Sequence, residues 1–190
     1  MLFRSILQRR STRGFEKTPL TQQEIDTLVQ AALAAPSAMN KQPWHFAFVK
    51  DAGLLKEFNA LAREHMLKNG PAPLRPRFED PNYELLMGAP LFVILSTDPT
   101  GDGPFTGVDC GIAVENLALS AKGMGLGSVI VGMPMEIVEA DCCKDLKTRM
   151  GVPAGHRYKV GILIGHNNVS KEAHPQRSEE RRVGKECRSR

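Results

Sequence analysis

Leu91-Phe92-Val93-Ile94-Leu95 is apolar at five successive positions. A strand with one wet face alternates, so a run without alternation belongs to a strand buried on both faces. Any sheet that contains it must be covered twice, and the patterns around it say by what. Helical spacing appears at Phe3, Ile6 and Leu7. It recurs after the capping box Thr21-Gln22-Gln23-Glu24, with Ile25, Leu28, Val29, Ala32 and Leu33 as the apolar stripe. Asp51 can cap a third helix whose stripe is Leu54, Leu55, Phe58, Leu61 and Ala62 and which stops at Asn69-Gly70. Further helices are expected over 108–122 and 136–150. Strands are expected over 45–49, 128–131 and 156–164. The order α, α, β, α, β, α, β, α, β makes the cover helical, on both faces of one sheet. Segment 71–81, with four prolines, reads either as a mobile excursion able to lid a pocket or as a plain surface loop.

The chain has 190 residues, which suits one domain with a sizeable core. The last stretch, 178–190, has no apolar periodicity and changes composition abruptly. It looks like translated sequencing adapter following a gene truncated near Arg177, so the expected division is a native body over 1–177 and a non-native tail over 178–190. Without that tail the formal net charge falls from +4 to +2. No basic run with interleaved aromatics remains, which argues against nucleic-acid binding. No stretch is long and apolar enough to span a bilayer, and the N-terminus lacks a signal-peptide core, so a cytoplasmic protein is expected. Cys110, Cys142, Cys143 and Cys187 show neither metal spacing nor a disulfide framework.

Two stretches carry chemistry. Arg9-Arg10-Ser11-Thr12-Arg13 puts three guanidinium forks and two hydroxyls in five residues, a good phosphate clamp. The same residues also suit a solvated helix end, because basic side chains favour a helix C-terminus. Pro36-Ser37-Ala38-Met39-Asn40-Lys41-Gln42-Pro43-Trp44 is stiffened by two prolines. It offers the uncharged amide heads of Asn40 and Gln42 to a flat heterocycle edged with acceptors and donors, or it is a rigid turn closed by a buried tryptophan. The glycines of Gly123-Met-Gly-Leu-Gly-Ser128 follow a helix and precede a strand. That order is the reverse of a dinucleotide-binding turn, so they read as a helix cap and tight turn. Past that strand, Gly132 could bring bare backbone N–H groups to a ligand. No Ser/His/Asp order, metal cluster or carboxylate pair is present.

Taken in order, the Arg9–Arg13 and Pro36–Trp44 stretches, Gly88-Ala89-Pro90, Asp109-Cys-Gly-Ile-Ala-Val-Glu-Asn116-Leu117, Gly125-Leu-Gly-Ser128 and Gly161-Ile-Leu-Ile-Gly165 resemble the FMN-dependent nitroreductase family, over residues 3 to about 177. The resemblance implies an α+β fold, an α/β/α sandwich whose mixed, largely antiparallel sheet is wrapped by helices in an obligate homodimer. It implies FMN at the subunit interface. Arg9, Arg10, Ser11 and Arg13 would hold its phosphate and ribityl chain, with Arg177 as a late phosphate arginine. Pro36, Ser37, Ala38, Asn40 and Gln42 would reach the flavin from the partner subunit. The backbone of Ile130, Val131 and Gly132 would lie beside the ring. Ala38 stands where relatives often carry serine. In the family the chain usually continues past the late arginine into a tail that packs on the other subunit, so a truncated chain would lose that contact.

The implied activity is hydride transfer from NAD(P)H through flavin N5 to a small-molecule acceptor, such as a nitroaromatic, a quinone or an activated enone, with ping-pong kinetics. Reductive dehalogenation, flavin fragmentation and a non-catalytic FMN sensor or store are the alternatives on the same fold.

Overall fold

A computed structural model of the chain describes residues 2–169 and Glu172. Arg177, Cys187 and the 178–190 tail lie outside the described residues.

Four strands form the sheet: β1 (Trp44–Val49), β2 (Leu91–Thr97), β3 (Gly127–Val131) and β4 (Arg157–Gly165), in the order β1-β2-β4-β3 with every neighbour antiparallel. A single parallel bridge, Ser11 to Ser128, adds the mixed character that the family likeness implied. The doubly apolar run is the second strand of this order, and every one of its residues is buried. Phe92 and Ile94 point into one core, while Leu91, Val93 and Leu95 point into the other.

Helices cover both faces. On the first lie α3 (Ala52–Asn69), α4 (Arg75–Glu79), α6 (Pro134–Val138) and α7 (Lys144–Arg149), supplying Phe58, Met66, Phe78, Ile137 and Leu146. On the second lie α2 (Gln22–Leu33) and α5 (Thr106–Gly123), supplying Leu28, Ala32, Ala113, Leu117 and Ala121. The short α1 (Leu2–Gln8) packs on α5. The small residues of α5 let it lie close to both the sheet and α2, where the Asn116 amide donates to the Ala31 carbonyl at 3.2 Å.

The local signals are realised with three differences. The Thr21 capping box forms as read. Thr21 Oγ1 accepts from the Glu24 N–H at 3.2 Å, and Glu24 Oε2 accepts from the Thr21 N–H at 2.7 Å. Asp51 caps α3 through the Leu54 N–H. The stop at Gly70 is real, but its cause is different. Gly70 is extended (φ −65°, ψ 155°), not left-handed, and a Cβ there would stand 2.4 Å from the Met66 carbonyl oxygen. The single helix expected over 136–150 is broken, because Ala140 turns extended (ψ 146°) and a 3-10 turn, Asp141–Cys143, separates α6 from α7. The 71–81 segment is no loose lid. It contains α4, whose Phe78 is buried edge-on against Tyr83 at 5.0 Å. The Arg63 guanidinium donates to the Glu79 and Asp80 carbonyls.

At the start of β1, the His45 ring stands edge-on to His156, with 5.7 Å between centroids. Its Nδ1 is sealed from solvent without a hydrogen-bond partner among the described residues. Burial and, second, the neighbouring His156 push the His45 imidazole below its ordinary value of 6.5. The Asp98 carboxylate, held low chiefly by the Thr100 N–H, also lies within electrostatic reach of His156. Folded His45 therefore stays neutral where the unfolded chain already takes up a proton. The resulting stability is present above about pH 6.5 and drains away as pH falls from there toward the lower folded value. His45→Phe should flatten the drop in melting temperature between about pH 7 and pH 5, measured by differential scanning calorimetry in matched buffers. An unchanged drop in the variant would mean that the pair does not set it.

Candidate functional site

The arginine-rich stretch leaves α1 and runs as an extended segment against one end of the sheet. Ser11 bridges to Ser128, the Thr12 N–H donates to the Ser128 carbonyl at 2.9 Å, and the Glu16 N–H donates to the His166 carbonyl at 2.9 Å. These bonds fix the segment where β3 begins and β4 ends. Arg9 still belongs to the end of α1, and along the extended part that follows Arg10 and Thr12 face one side and Arg13 the other. Arg9 and Arg10, with Lys122, line a cleft of about 120 Å³ whose floor is Thr12, Gly127, Ser128 and Asn167. Arg13 is exposed and opens onto a separate depression beside Tyr83 and Met87. The five-residue stretch is therefore not one clamp in this chain. Arg9 and Arg10 come together, and Arg13 does not join them.

The cleft has few internal anions. Arg9 Nε stands 3.7 Å from Glu115, a loose pair. One Arg10 nitrogen donates to the Glu172 carbonyl, while Arg10 Nε is buried with no partner among the described residues. A buried guanidinium N–H left without an acceptor is costly, so an anionic oxygen is a chemically suitable occupant of this cleft. Lys122 closes the last turn of α5, where the helix dipole favours a cation. Sequence reading missed Lys122, and also the Thr12–Asn167 hydrogen bond of 3.1 Å. The only sequence signal for that pair was Gly127, which leaves room for it. A Cβ at Gly127 would fall 1.7 Å from Asn167 Oδ1 and 2.8 Å from Thr12 Oγ1.

The backbone of β3 carries the next candidates. It is an edge strand, and beyond the Ser11–Ser128 bridge its outer side carries no strand partner among the described residues. Ile130 and Gly132 are exposed and Val131 is buried. A Cβ on Gly132 would meet nothing within 4 Å, so a flat group can approach this backbone. The strand end is held from beneath by the Tyr158 hydroxyl, which donates to the Val131 carbonyl at 2.6 Å inside the core. Burial pushes the Tyr158 phenol far above its usual range, which keeps it a donor.

The Pro36–Trp44 loop lies elsewhere. After the extended Ser37, a 3-10 turn, Ala38–Asn40, reverses the chain. Met39, Asn40 and Gln42 all take left-handed φ, at 52°, 53° and 47°. Such conformations cost roughly 1 kcal/mol or more each for residues other than glycine and persist only where surroundings hold them. Ser37 Oγ accepts from the Gln42 N–H at 2.9 Å, and the Gln42 amide donates to Asn40 Oδ1 at 2.9 Å. Asn40 and Gln42 are thus brought together as one exposed amide pair. Pro36 is exposed too, while Ser37 and Ala38 are half-buried. The loop sits on the first turns of α5, since the Ala38 N–H donates to the Asp109 carboxylate at 3.0 Å.

Asp109 and Lys122 lie at opposite ends of α5, thirteen residues apart. At the helical rise that is about 20 Å. One protomer therefore does not bring the amide loop to the arginine cleft. An apolar stripe lies at the start of α5, around Asp109. Phe105 and Val108 are 55% and 58% exposed, Ile112 follows, and Gly107 and Gly111 have open space where a Cβ would sit.

Comparison with known proteins gives four findings. The model of the nitroreductase family matches residues 6–166. A protein of Archaeoglobus fulgidus is 30% identical over 173 residues, covering 88% of this chain and 86% of that protein. The NADPH-flavin oxidoreductase of Vibrio harveyi is 26% identical over 187 residues, covering 90% of this chain and 68% of that one. Among solved structures, a nitroreductase with bound FMN from Desulfitobacterium hafniense superposes with a TM-score of 0.85 at 27% identity, covering 94% of this chain and 95% of that one.

The support under β3 gives a direct prediction. Tyr158→Phe removes the donor and leaves the Val131 carbonyl buried, so the variant should lose about 1–2 kcal/mol in urea unfolding. A midpoint equal to that of the wild type would show that the bond carries no net stability.

Proposed function

The chain belongs to the nitroreductase family, and from that membership we propose that it is an NAD(P)H-dependent FMN oxidoreductase whose cofactor site is completed by a second copy of the chain. The observation that carries the cofactor reading is the arginine cleft at the head of an open edge strand. Arg10 Nε waits there for an acceptor, and backbone cleared of side chains lies at the strand's far end. From Ser128 to Gly132 is about 13 Å of strand. That span suits a molecule with a phosphate at one end, a flexible polyol and a flat ring at the other. FMN has this form, so the residues present fit it.

In this reading Arg9 and Arg10 hold the phosphate by charge-assisted hydrogen bonds, with Ser11 beside them. Arg13 and the late Arg177 complete the set that the family pattern assigns. The backbone of Ile130, Val131 and Gly132 lies along the ring and offers N–H groups to its polar edge. When bound, the flavin supplies two-electron redox chemistry between NAD(P)H and a small organic acceptor. The protein's part is to bind, to orient and to leave one face of the ring open for both reactants in turn. Nitroaromatics, quinones and related electron-poor compounds are the proposed acceptors. The name of the Vibrio relative, an NADPH-flavin oxidoreductase, and the FMN in the Desulfitobacterium structure support the cofactor and the donor class.

The second copy follows from the 20 Å problem. Two α5 helices crossing antiparallel about a twofold axis would set each amide loop, with Pro36, Ser37, Ala38, Asn40 and Gln42, against the partner's cleft. The Phe105–Val108–Ile112 stripe, with Gly107 and Gly111 permitting close approach, gives that pairing an apolar face to bury.

Purified protein should be yellow and should release FMN on denaturation. Arg9→Ala should weaken FMN binding by about 1.5–3 kcal/mol, the worth of a hydrogen bond to a charged group, and leave riboflavin binding unchanged. Fluorescence titration of both flavins checks this. Equal FMN affinity in wild type and variant would remove the phosphate assignment.

A further inference from the structure

The amide loop is locked within itself and fastened to the fold at one point. The Asn40 N–H donates to the Ser37 carbonyl at 3.0 Å and the Lys41 N–H to the Ala38 carbonyl at 3.1 Å. Two more hydrogen bonds join Gln42 to Ser37 and to Asn40. All four close inside the loop. Among the described residues, the only hydrogen bond that leaves residues 36–42 is the one from the Ala38 N–H to Asp109 Oδ1. The three left-handed residues follow directly after that point.

Asp109 is an odd residue to find there. It lies in the first turns of α5, where the residues from Thr106 to Val114 are otherwise small or apolar, and it is buried at 5% exposure. No lysine or arginine pairs with it among the described residues. A buried carboxylate without a cation is costly unless hydrogen-bond donors hold it. Its recorded donor is the loop's backbone. Asp109 also floors a slot of about 70 Å³ between the loop and the start of α5, walled by Met39, Pro43 and Phe105. Loop and helix both line this slot, and the Ala38–Asp109 bond ties them across it.

We propose that Asp109 is a positioning residue for the flavin site: by accepting the Ala38 N–H it fixes the strained loop as a rigid unit and so sets where the Asn40 and Gln42 amides stand. The inference rests on the flavin reading above and deepens it. Asp109 itself touches neither flavin nor substrate. It acts through the loop.

Three variants separate this role from plain stability. Asp109→Ala removes the acceptor. Ala38→Pro removes the donor from the other side and leaves Asp109 in place. It is compatible with the backbone, because Ser37 is already extended (φ −140°, ψ 154°) and Ala38 opens a helical turn. Asp109→Asn keeps an oxygen that can accept the same bond. Thr21→Ala, which weakens the α2 cap far from the site, serves as a control for stability alone. The readouts are hydrogen exchange of the 37–43 peptide, measured without flavin, and FMN affinity by fluorescence quenching.

The expected result is faster exchange in Asp109→Ala and Ala38→Pro, with FMN affinity about tenfold lower in both, the ratio expected for one lost hydrogen bond to a charged group. Asp109→Asn should stay near wild type in both readouts, and Thr21→Ala should lose stability alone. Wild-type exchange and affinity in Ala38→Pro would overturn the proposal, even if Asp109→Ala fails to fold. An Asp109→Asn variant as impaired as Asp109→Ala would overturn it too, by showing that charge and not the hydrogen bond matters. A wild-type protein that takes up no FMN would count against the flavin reading instead, and the exchange data would still decide the tether.

Discussion

Burial of β2 on both faces is the constraint from which the rest follows. Seven consecutive residues, Leu91 to Thr97, are shut away from water. Burying a large aliphatic or aromatic side chain is worth about 1.5–3 kcal/mol, so exposing either face of this strand would cost an amount comparable to a domain's net stability. Each face therefore needs a helical layer. On one face the long α3 shares the task with the short α4, α6 and α7, and Phe58, Phe78 and Ile137 fill the space. On the other, α5 lies against the sheet with α2 beside it. A helix that must pack on the sheet, on α2 and on α1 has little polar surface to spare. α5 is accordingly apolar or small nearly all round, and the part that its own chain leaves uncovered is the Phe105–Val108–Ile112 stripe.

That same helix spaces the candidate site. Its first turns carry the amide loop through Asp109, and its last turn carries Lys122 into the arginine cleft. A rigid rod of about 20 Å holds the two apart within a protomer. The separation looks like a defect in one chain and would become an advantage in the proposed twofold pair. There an antiparallel partner rod would put a loop beside each cleft, and one apolar stripe would serve both the association and the alignment of the site. Strain in the loop fits this picture. Met39, Asn40 and Gln42 are held in left-handed conformations by hydrogen bonds that close within the loop, so its amide heads are set before any ligand arrives.

Much of this was legible in the sequence where the signal was local or periodic. The Thr21 box, the Asp51 cap and the unbroken apolar run each state their structure within a few residues. What was not legible depended on contacts distant in the chain. Nothing near residue 140 announces that the expected helix breaks there. The strand expected to end at Leu95 runs on to Thr97, past a bulge in its pairing with β4. Gly70 and Gly127 look like ordinary turn glycines, yet each is required because another atom already occupies the place of its side chain. Arg13 reads as one of three equivalent arginines until the extended backbone sends it to a different depression from Arg9 and Arg10. Asp109 was visible only as a carboxylate in an apolar helix, and its meaning lay seventy-one residues away at Ala38.

The account's central claim is that each cofactor site takes its cleft from one copy and its loop from the other. Subunit complementation tests it most directly. One chain carries Arg9→Ala, and a second, differently tagged, carries Asn40→Ala and Gln42→Ala together. The two are coexpressed, the doubly tagged pair is isolated, and tightly bound FMN is counted per pair. A site built in trans leaves one intact cleft facing one intact loop, so the mixed pair should recover one tight FMN where neither parent pair holds any. If the mixed pair binds FMN no better than either parent, each site is built within a single chain and the account is contradicted.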